Sequence, residues 1–478
     1  MKSLNQNKTE KSIPLLRVLG VSTAILLVAG MMIGSGVFKK IIPMAQSGLS
    51  ESRILGAWII AGIITMLGAF TISGLACLTE ESGGVYEYLR LAYGNFFSFL
   101  YGWTDFTIIG SASVAALGFI FAQTVNVFIP LPSPLESLAG ISIGGIIFPF
   151  ADSGVKIIAI ITVVLLTWVN YRGVKNGGNM NNLITAAKII GILMIIVLGL
   201  LYTPQSVNRE VMSEVETIGF GTSAFFAALF AAMLSAFWAY DGWSNVSFIT
   251  GEIKNPKKNL PVAIITGVII AMTLYVLINY TYMHVLPLQV LRNVDQNQIG
   301  AVVVAETMIG SLGQSLITAL IMISVFGALN GIILAHSRIY YRMAQENFFF
   351  KRAANVHPRY RTPYISLFYT MIWSCILIVS GTFDMLTDMV IFAGFLFYGL
   401  LAVALIKMKR SGHIKSKIIG YPWAPLIIIL FSIALIYATV MAQPGQSLIG
   451  LGLIMIGIPF YFYFRKNIKM PIKGNELK

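Results

Sequence analysis

Long stretches without a charged residue constrain this chain more than any other feature. Of its 478 residues only 11% are charged and 57% are hydrophobic, whereas a soluble protein carries about 25% charged residues. A membrane-spanning helix needs about 20 mostly apolar residues, so we expect an all-α integral membrane protein with about twelve spans. The third and eighth exceed the length of a straight span, which predicts tilt or overhang there. The predicted spans cover residues 18–44, 54–77, 94–130, 155–171, 181–202, 222–249, 260–287, 311–343, 362–381, 386–408, 421–442 and 446–464.

The basic residues predict how these spans are oriented. The net charge is +14, and most of the 33 Lys and Arg residues fall in connections on one side of the membrane. The positive-inside rule places that side, with both termini, in the cytoplasm. The basicity then serves insertion into the bilayer of a cell membrane, and no nucleic-acid partner is expected. The predicted outer connections hold Lys39, Lys40, Arg53, Lys156, Arg209 and Arg292.

Cysteine and histidine usage argues against a metal centre. Cys77 and Cys375 lie within or at the end of apolar segments, and the four histidines are widely scattered. No cluster with metal-ligand spacing can be assembled from them, and no nucleotide-binding motif is present. We therefore expect no metal, no cofactor and no enzymatic activity.

The first apolar segment contains three glycines within seven residues, in "GMMIGSGVF" from Gly30 to Phe38. Two interpretations are open. In the first, the glycines let helices approach closely, as in small-xxx-small patterns. Alternatively the helix breaks here, which is tolerated in a membrane only where the backbone lines a cavity or is buried in protein. A break exposes free N–H groups on one side and free C=O groups on the other, which suits a zwitterion.

A second interruption lies in the sixth apolar segment, in "FWAYDGWSN" from Phe237 to Asn245. Asp241-Gly242 is a turn-type dipeptide inside a hydrophobic run, and an intramembrane Asp usually faces a cavity or a partner. Interrupted segments in corresponding positions of two halves point to a transporter site. The first and sixth segments would each open a five-helix repeat, and the odd number of helices makes the two repeats inverted.

Five stretches carry a resemblance to a known family. "GMMIGSGVF" and "FWAYDGW" resemble the first-helix and sixth-helix motifs of the amino acid–polyamine–organocation superfamily, L-type amino-acid transporter branch, in a bacterial-type permease. "ESGGVYEYLRLAYG", "GEIKNPKKNLP" and "RYRTPY" resemble its loops. The family often has Pro where Glu80 stands, and usually Phe where this chain has Trp238. The resemblance covers about residues 14–466.

The resemblance implies a fold of twelve helices, of which the first ten form two inverted five-helix repeats, known as the LeuT fold. We accordingly expect a single transporter domain over 14–466, between cytoplasmic tails at 1–13 and 467–478. The expected units are a first repeat at about 18–202, a second repeat at about 222–408, and extra helices at about 421–464.

The resemblance also implies where a substrate binds. Gly34, Ser35 and Gly36 would offer N–H groups, with the Ser35 hydroxyl, to the carboxylate of an amino acid, in line with the affinity of free N–H groups for anions. The carbonyls of Met32, Trp238 and Asp241 would accept from its ammonium group. The remaining residues of the expected cradle are Ile33, Ala239, Tyr240 and Gly242.

Two of these residues have more than one interpretation. Trp238 would cover the substrate as a gate, and its large ring suggests a small or medium neutral amino acid; ordinary aromatic packing is the alternative. Asp241 could contact the ammonium group directly. We favour instead a capping role at the restarting half of the sixth helix, because Asp is a preferred N-cap.

Lys188 is a lysine in the middle of a predicted span, in "LITAAKIIGIL". A buried ammonium group is costly unless it is paired or deprotonated, and snorkelling to the interface is the alternative. The resemblance implies that Lys188 holds the free carbonyls of the broken first helix, where sodium-coupled relatives bind sodium. We therefore expect sodium-independent transport, and the sequence leaves exchange and proton coupling both open.

Four further polar residues are candidates for the cavity or for a gate. Asp105 could line the inner pathway, but pairing with a basic loop residue is favoured. Asn245 and Asn330 could shape the cavity or bond between helices. Arg338 is expected to hold the cytoplasmic gate by pairing with a carboxylate such as Glu252.

The expected partners are an amino-acid substrate and the lipid bilayer. In animal relatives a heavy subunit is disulfide-linked through a cysteine after the third helix, and residues 131–154 contain no cysteine. We expect no such link, and a monomer or weak homo-oligomer. The alternatives to an amino-acid exchanger or proton-linked importer are a polyamine or amine permease of the same fold and a membrane receptor that does not transport.

Overall fold

The computed structural model describes residues 19–79, 83–144, 147–173, 177–203, 218–219 and 221–466, with backbone alone at 177–183, 249, 251 and 252. Within this part of the chain the structure is helical, and no β-strand is formed. The helices are α1 Val21–Met32, α2 Gly36–Lys39, α3 Ile41–Gln46, α4 Glu51–Leu75, α5 Gly84–Tyr93, α6 Asn95–Thr104, α7 Gly110–Phe128, α8 Ser153–Arg172, α9 Gly177–Leu201, α10 Ser223–Tyr240, α11 Pro256–Val285, α12 Leu288–Arg292, α13 Gly300–Gln345, α14 Tyr364–Ser380, α15 Phe383–Arg410, α16 Trp423–Ala442 and α17 Pro444–Lys466.

The predicted number of spans is confirmed. Ten helical stretches of the described chain are long and apolar enough to cross a membrane, with α6 and α7 counted as one. The two shorter apolar helices are α1 and α14, and they occupy the first and ninth predicted segments. The chain is thus a multi-pass membrane protein, and α1 is short because its span is interrupted.

An irregularity lies within or next to each of the two segments that are longer than a straight span. A π-helical turn, Asp105–Ile109, joins α6 to α7. Helix α13 has non-helical backbone at Ile309 and Gly310, where Gly310 has a φ of 63° that glycine adopts readily. The predicted span from residue 311 starts just after this kink, so the preceding turns of α13 belong to the outer connection.

The placement of Lys39 and Lys40 in an outer loop was wrong. The chain continues beyond α1 through α2 and α3, and both lysine side chains are 1% exposed. Lys39 Nζ donates to Gln123 Oε1 at 2.7 Å. Lys40 Nζ donates to Asp384 Oδ1 at 2.6 Å. A buried ammonium group requires such partners, and a hydropathy profile does not reveal them.

The two broken helices are joined by backbone at one end. Leu19, just before α1, forms an isolated parallel bridge with Ile253, and the Lys254 N–H donates to the Leu19 carbonyl at 2.9 Å. Ile253 follows the 3₁₀ helix Asn245–Glu252, which continues the second broken helix. This bridge lies on the predicted cytoplasmic side.

Candidate functional site

The first apolar span is broken over residues 33–35, here called the first break. Helix α1 ends at Met32 and α2 begins at Gly36, which confirms the predicted interruption. In the described part of the chain, the N–H groups of Ser35, Gly36 and Val37 donate to no acceptor. Three neighbouring amides at the start of the outer half-helix form the kind of site that attracts an anion.

The glycines of the first span serve both proposed purposes. A Cβ on Gly30 would overlap Thr185 of α9, and a Cβ on Gly36 would lie 2.5 Å from Ala239 Cα. These two glycines permit close packing. A Cβ on Gly34 would meet nothing closer than 3.9 Å, so Gly34 faces open space at the break itself.

Lys188 of α9 holds the carbonyl end of the first break. Its Nζ donates to the Ile33 carbonyl at 2.9 Å and to the Gly30 carbonyl at 3.1 Å. The side chain is 3% exposed. The expected contact of Lys188 with the broken helix is confirmed, and snorkelling to the interface is excluded. Its cationic end satisfies carbonyls that the interrupted helix leaves without N–H partners.

The sixth apolar span is also interrupted, over residues 241–244, here called the second break. Helix α10 ends at Tyr240, and Asp241 follows with extended backbone at ψ 158°. Gly242 has a φ of 98°, a conformation that side chains other than glycine rarely adopt. The Asn245 N–H donates to the Gly242 carbonyl at 3.1 Å, and the chain then continues as 3₁₀ helix.

The two breaks face one another. A Cβ on Gly242 would lie 2.7 Å from the Met31 carbonyl oxygen, and Gly36 packs on Ala239 in the reciprocal contact. The Tyr275 hydroxyl of α11 lies between them, 2.8 Å from the Met32 oxygen and 2.9 Å from the Ala239 oxygen. One hydroxyl hydrogen thus serves two carbonyls.

Sequence analysis missed Tyr275. A tyrosine in the middle of an apolar span is a weak signal, since a buried polar group there usually has a partner, but the sequence does not identify that partner. The Met32 carbonyl also accepts from the Gly34 N–H at 2.7 Å. The Trp238 carbonyl accepts from the Asp241 N–H at 3.3 Å.

Trp238 lies over the first break. Its indole Nε1–H donates to the Ser35 hydroxyl at 3.3 Å, and its ring meets Phe383 edge-on with centroids 6.1 Å apart. Beyond Phe383 a cavity of about 550 Å³ extends towards the predicted outer side, with Gln123, Asp295 and Glu306 in its wall. The two aromatic rings therefore separate the first break from this cavity.

Tyr240 does not contribute its side chain to the site. Its hydroxyl donates to the Trp58 carbonyl of α4 at 3.1 Å, and the two rings meet edge-on. The side chain thus fixes α10 against α4 and leaves only its backbone near the second break.

The predicted capping role of Asp241 was wrong. Asp241 is the residue that ends α10, and the helix that follows is a 3₁₀ helix preceded by Ser244. The Asp241 carboxylate lies near the Gly242 N–H and the Tyr398 hydroxyl of α15, whose dipoles act on it. Asp241 and Tyr398 line a small cavity of about 20 Å³, so the carboxylate supports the turn of the second break.

Asp105 does not pair with a basic loop residue. It starts the π-helical turn and is fully buried. Its carboxylate lies 2.8 Å from His336 Nδ1 and accepts from the Tyr340 hydroxyl at 2.9 Å. Both partners are on α13, 231 and 235 residues further along the chain, too far apart in sequence for any local pattern to connect them.

Of the remaining candidates, Asn330 contributes to helix packing and Arg338 lies at the surface. Asn330 accepts from Asn170 Nδ2 of α8 at 2.8 Å, so it bonds between helices. Arg338 is exposed, and no described carboxylate lies within ion-pair distance of it; the Glu252 side chain lies outside the described residues. The described residues hold no group of His, Cys, Asp and Glu that could bind a metal ion.

Known proteins with similar sequences identify the family. Residues 19–461 match the family model described as amino acid permease. The chain belongs to the amino acid permease family. This assignment confirms the resemblance and the LeuT-like fold class predicted from the sequence.

Three curated relatives illustrate the range of the family. The serine/threonine exchanger SteT of Bacillus subtilis (strain 168) is 32% identical, covering 94% of this chain and 97% of the relative. The b(0,+)-type amino acid transporter 1 of Homo sapiens is 29% identical, covering 96% and 90%. The large neutral amino acids transporter small subunit 2 of Homo sapiens is 27% identical, covering 94% and 81%.

Proposed function

We propose that this amino acid permease is a sodium-independent exchanger of small to medium neutral amino acids. The two facing breaks support the proposal. The free N–H groups of Ser35, Gly36 and Val37 suit a carboxylate. The Ala239 carbonyl beside them, which has a second lone pair besides the one that accepts from the Tyr275 hydroxyl, suits an ammonium group. A free amino acid carries both charges a short distance apart.

Lys188 supports independence from sodium. Its Nζ already donates to two carbonyls of the first break, those of Gly30 and Ile33. A fixed cation on these oxygens does there what a bound metal cation would do, because it compensates carbonyls that have no N–H partner. No second cation is then required to stabilise the break.

Trp238 and Phe383 support the proposed limit on substrate size. The two rings close over Ser35 and leave Gly34 as the open position of the first break. SteT is named as a serine/threonine exchanger, which agrees with a small substrate. One human relative is named as a transporter of large neutral amino acids, so side-chain size is the property to test.

Uptake into proteoliposomes tests the proposal. The purified protein is given labelled serine, threonine, alanine, leucine, phenylalanine and putrescine, with the unlabelled compound inside or absent. We expect uptake of the small neutral amino acids only with amino acid inside. Uptake of putrescine alone, or of no compound, would overturn the proposal. Trp238→Phe should improve the relative uptake of leucine and phenylalanine, because it reduces the ring over the site.

The coupling ion is tested in the same vesicles. Replacing sodium by choline should leave exchange unchanged, whereas a collapse would show that Lys188 does not substitute for the metal. Exchange should also continue without a proton gradient. Net uptake into empty vesicles, driven by an inward proton gradient, would favour a proton-linked importer over an exchanger.

We further propose that both termini face the cytoplasm and that the protein works as a monomer or weak homo-oligomer. The charge distribution supports the orientation. The chain has only two cysteines, and neither lies in residues 131–154. Cysteine accessibility at an added terminal residue tests the orientation, and light scattering in detergent tests the oligomeric state.

A further inference from the structure

A buried acid–base cluster lies outside the proposed substrate site, between α13 and the π-helical turn before α7. Asp105 is 0% exposed and His336 is 3% exposed. Each lies about 14–15 Å along its helix from the predicted cytoplasmic end, at 1.5 Å per residue. The cluster is therefore in the predicted cytoplasmic half of the membrane.

Hydrogen bonds from a neighbouring helix hold the π-helical turn in place. A π-helical turn disrupts the regular ladder of backbone bonds and is often found at functional positions. Trp373 Nε1 of α14 donates to the Thr107 carbonyl at 2.8 Å, and the Ser374 hydroxyl donates to the Ser111 carbonyl at 3.0 Å. These contacts satisfy carbonyls in and after the turn, so the irregular backbone is held by specific partners.

Gly110 brings α13 close to this turn. A Cβ at Gly110 would lie 2.5 Å from the Tyr340 hydroxyl and 2.6 Å from His336 Nδ1. Only a residue without a side chain permits this approach. The short distances from the Asp105 carboxylate to His336 and Tyr340 therefore depend on the packing of two helices.

The hydrogen bonds fix where a proton can be held. Asp105 accepts from the Tyr340 hydroxyl, and a carboxylate in this role calls for a donor at His336 Nδ1 as well. Nδ1 then carries hydrogen and donates to Asp105, so Nε2 is the basic nitrogen. No described group hydrogen-bonds to His336 Nε2.

Burial disfavours a charge on His336, whereas the charges around it favour uptake of a proton. Asp105 acts on it from the π-helical turn and Asp241 acts on it from the second break, and no Lys or Arg of the described chain does so. The hydroxyls of Tyr340, Tyr101 and Tyr398 are the neutral titratable groups of the cluster. A buried carboxylate without a cation is costly in a membrane, and a proton on His336 provides that cation.

The cluster also touches the inner half of the second broken helix. The Phe248 ring, on the 3₁₀ helix after the second break, packs on His336 with centroids 6.0 Å apart. A change in charge at His336 therefore acts on a contact between α13 and this half-helix.

We propose that Asp105 and His336 form a proton-binding site whose proton comes from the cytoplasm and slows amino-acid exchange. The proton adds to His336 Nε2, and the imidazolium remains bonded to the Asp105 carboxylate through Nδ1. The pair changes from a net charge of −1 to 0, which strengthens the contact seen here. A ligand that binds one conformation more tightly stabilises it, so protonation holds the transporter in this arrangement. The effect on exchange rests on the proposed function, whereas the binding of the proton does not.

The first test measures proton binding directly. The chain contains four histidines, so NMR of the full-length protein labelled with ¹⁵N-histidine gives few signals, and His336→Gln identifies that of His336. We expect this ring to titrate within the pH range over which the protein stays folded, and Asp105→Asn to reduce its proton affinity by about tenfold or more. A His336 ring that does not titrate, or that titrates identically in Asp105→Asn, would overturn the proposal.

The second test measures exchange at internal pH 6 and 8 with external pH held at 7. We expect slower exchange at internal pH 6 in the unsubstituted protein, and the same rate at both values in Asp105→Asn and His336→Gln. Asn170→Ala is the matched control, because it breaks a polar contact to α13 that cannot titrate. It should change exchange by one factor at both pH values. Persistence of the pH dependence in both cluster variants would rule out this site.

The two tests separate failure of this inference from failure of the proposed function. If no amino acid is exchanged but His336 titrates under the influence of Asp105, the proton site stands and the transport assignment falls. If exchange is observed and His336 does not titrate, the transport assignment stands and the proton site is ruled out. The titration of His336 is recorded on the unsubstituted protein, with His336→Gln needed only to assign its signal, so a ring that does not titrate overturns the proposal even if Asp105→Asn does not fold.

Discussion

Both breaks interrupt a membrane-spanning helix, but different groups stabilise them. At the first break the carbonyls of Gly30 and Ile33 are bound by the cation of Lys188, and helical structure resumes after three residues. At the second break the carboxylate of Asp241 interacts with the next backbone N–H, and the chain resumes as 3₁₀ helix. One break is held by a side chain from another helix and the other chiefly by its own turn.

This difference indicates which break depends more on distant residues. Removal of the Lys188 ammonium group leaves two buried carbonyls without a donor, while the second break keeps its Asp-Gly turn whatever happens elsewhere. The first break should therefore be the more sensitive to substitution. Four predictions test this comparison.

The largest effect is expected for Lys188→Met, which keeps the length of the side chain and removes its charge. Exchange should fall at least about thirtyfold, because each orphaned carbonyl costs ~1–3 kcal/mol. Lys156→Met is the matched control. Lys156 Nζ also donates to backbone carbonyls, including those of Phe148 and Val379, but to none of either break. Exchange by the control should stay within about threefold, and equal losses in the two variants would contradict a special role for Lys188.

A large effect is also expected for Gly36→Ala, whose Cβ would collide with Ala239. Overpacking costs roughly 1–3 kcal/mol, so both the thermal stability and the exchange rate should fall. Gly34→Ala has open space around its Cβ. Its melting temperature should be unchanged, while KM rises because the methyl group enters the proposed substrate position. A fall in melting temperature for Gly34→Ala would show that Gly34 is a packing residue.

A moderate effect is expected for Tyr275→Phe, which removes the hydroxyl shared by the two breaks. The loss of a hydrogen bond to the Met32 or Ala239 carbonyl costs ~0.5–1.5 kcal/mol. Exchange should fall about three- to tenfold by that principle, measured as the initial rate at saturating substrate. Tyr282→Phe, at another buried tyrosine of α11 that has no hydrogen-bond partner in the described structure, should have little effect and controls for loss of a hydroxyl.

The smallest effect is expected for Asp241→Asn. The amide keeps a polar group of the same shape beside Gly242 and Tyr398, so exchange should stay within about threefold of the unsubstituted rate, whereas Asp241→Ala removes the polar group and should fall further. Total loss of exchange in a normally folded Asp241→Asn protein would show that the charge contacts the substrate.

Local signals in the sequence indicated the positions of both breaks, although close helix packing stayed open as an alternative at the first one. Glycine at Gly34 and Gly36 and the dipeptide Asp241-Gly242 are conformational signals that act on their own neighbours. Lys188 was recognisable because a charge in the middle of an apolar span demands a partner. The twelve spans followed from length and hydropathy alone.

Contacts between distant helices could not be read in the same way. The partner of Asp105 is a histidine 231 residues away, and Tyr275 gave no indication that its hydroxyl joins two breaks. Lys39 and Lys40 were assigned to a loop because charge ordinarily ends a span. In each case the decisive quantity is the distance between side chains on separate helices, which depends on how the helices pack.

The backbone bond between Lys254 and Leu19 ties the starting point of α1 to the segment that leaves the second broken helix. Because α1 and the 3₁₀ helix after the second break are joined at the ends remote from the two breaks, a movement of one half-helix should displace the other. A crosslink between these two segments should slow exchange without altering any residue of the two breaks.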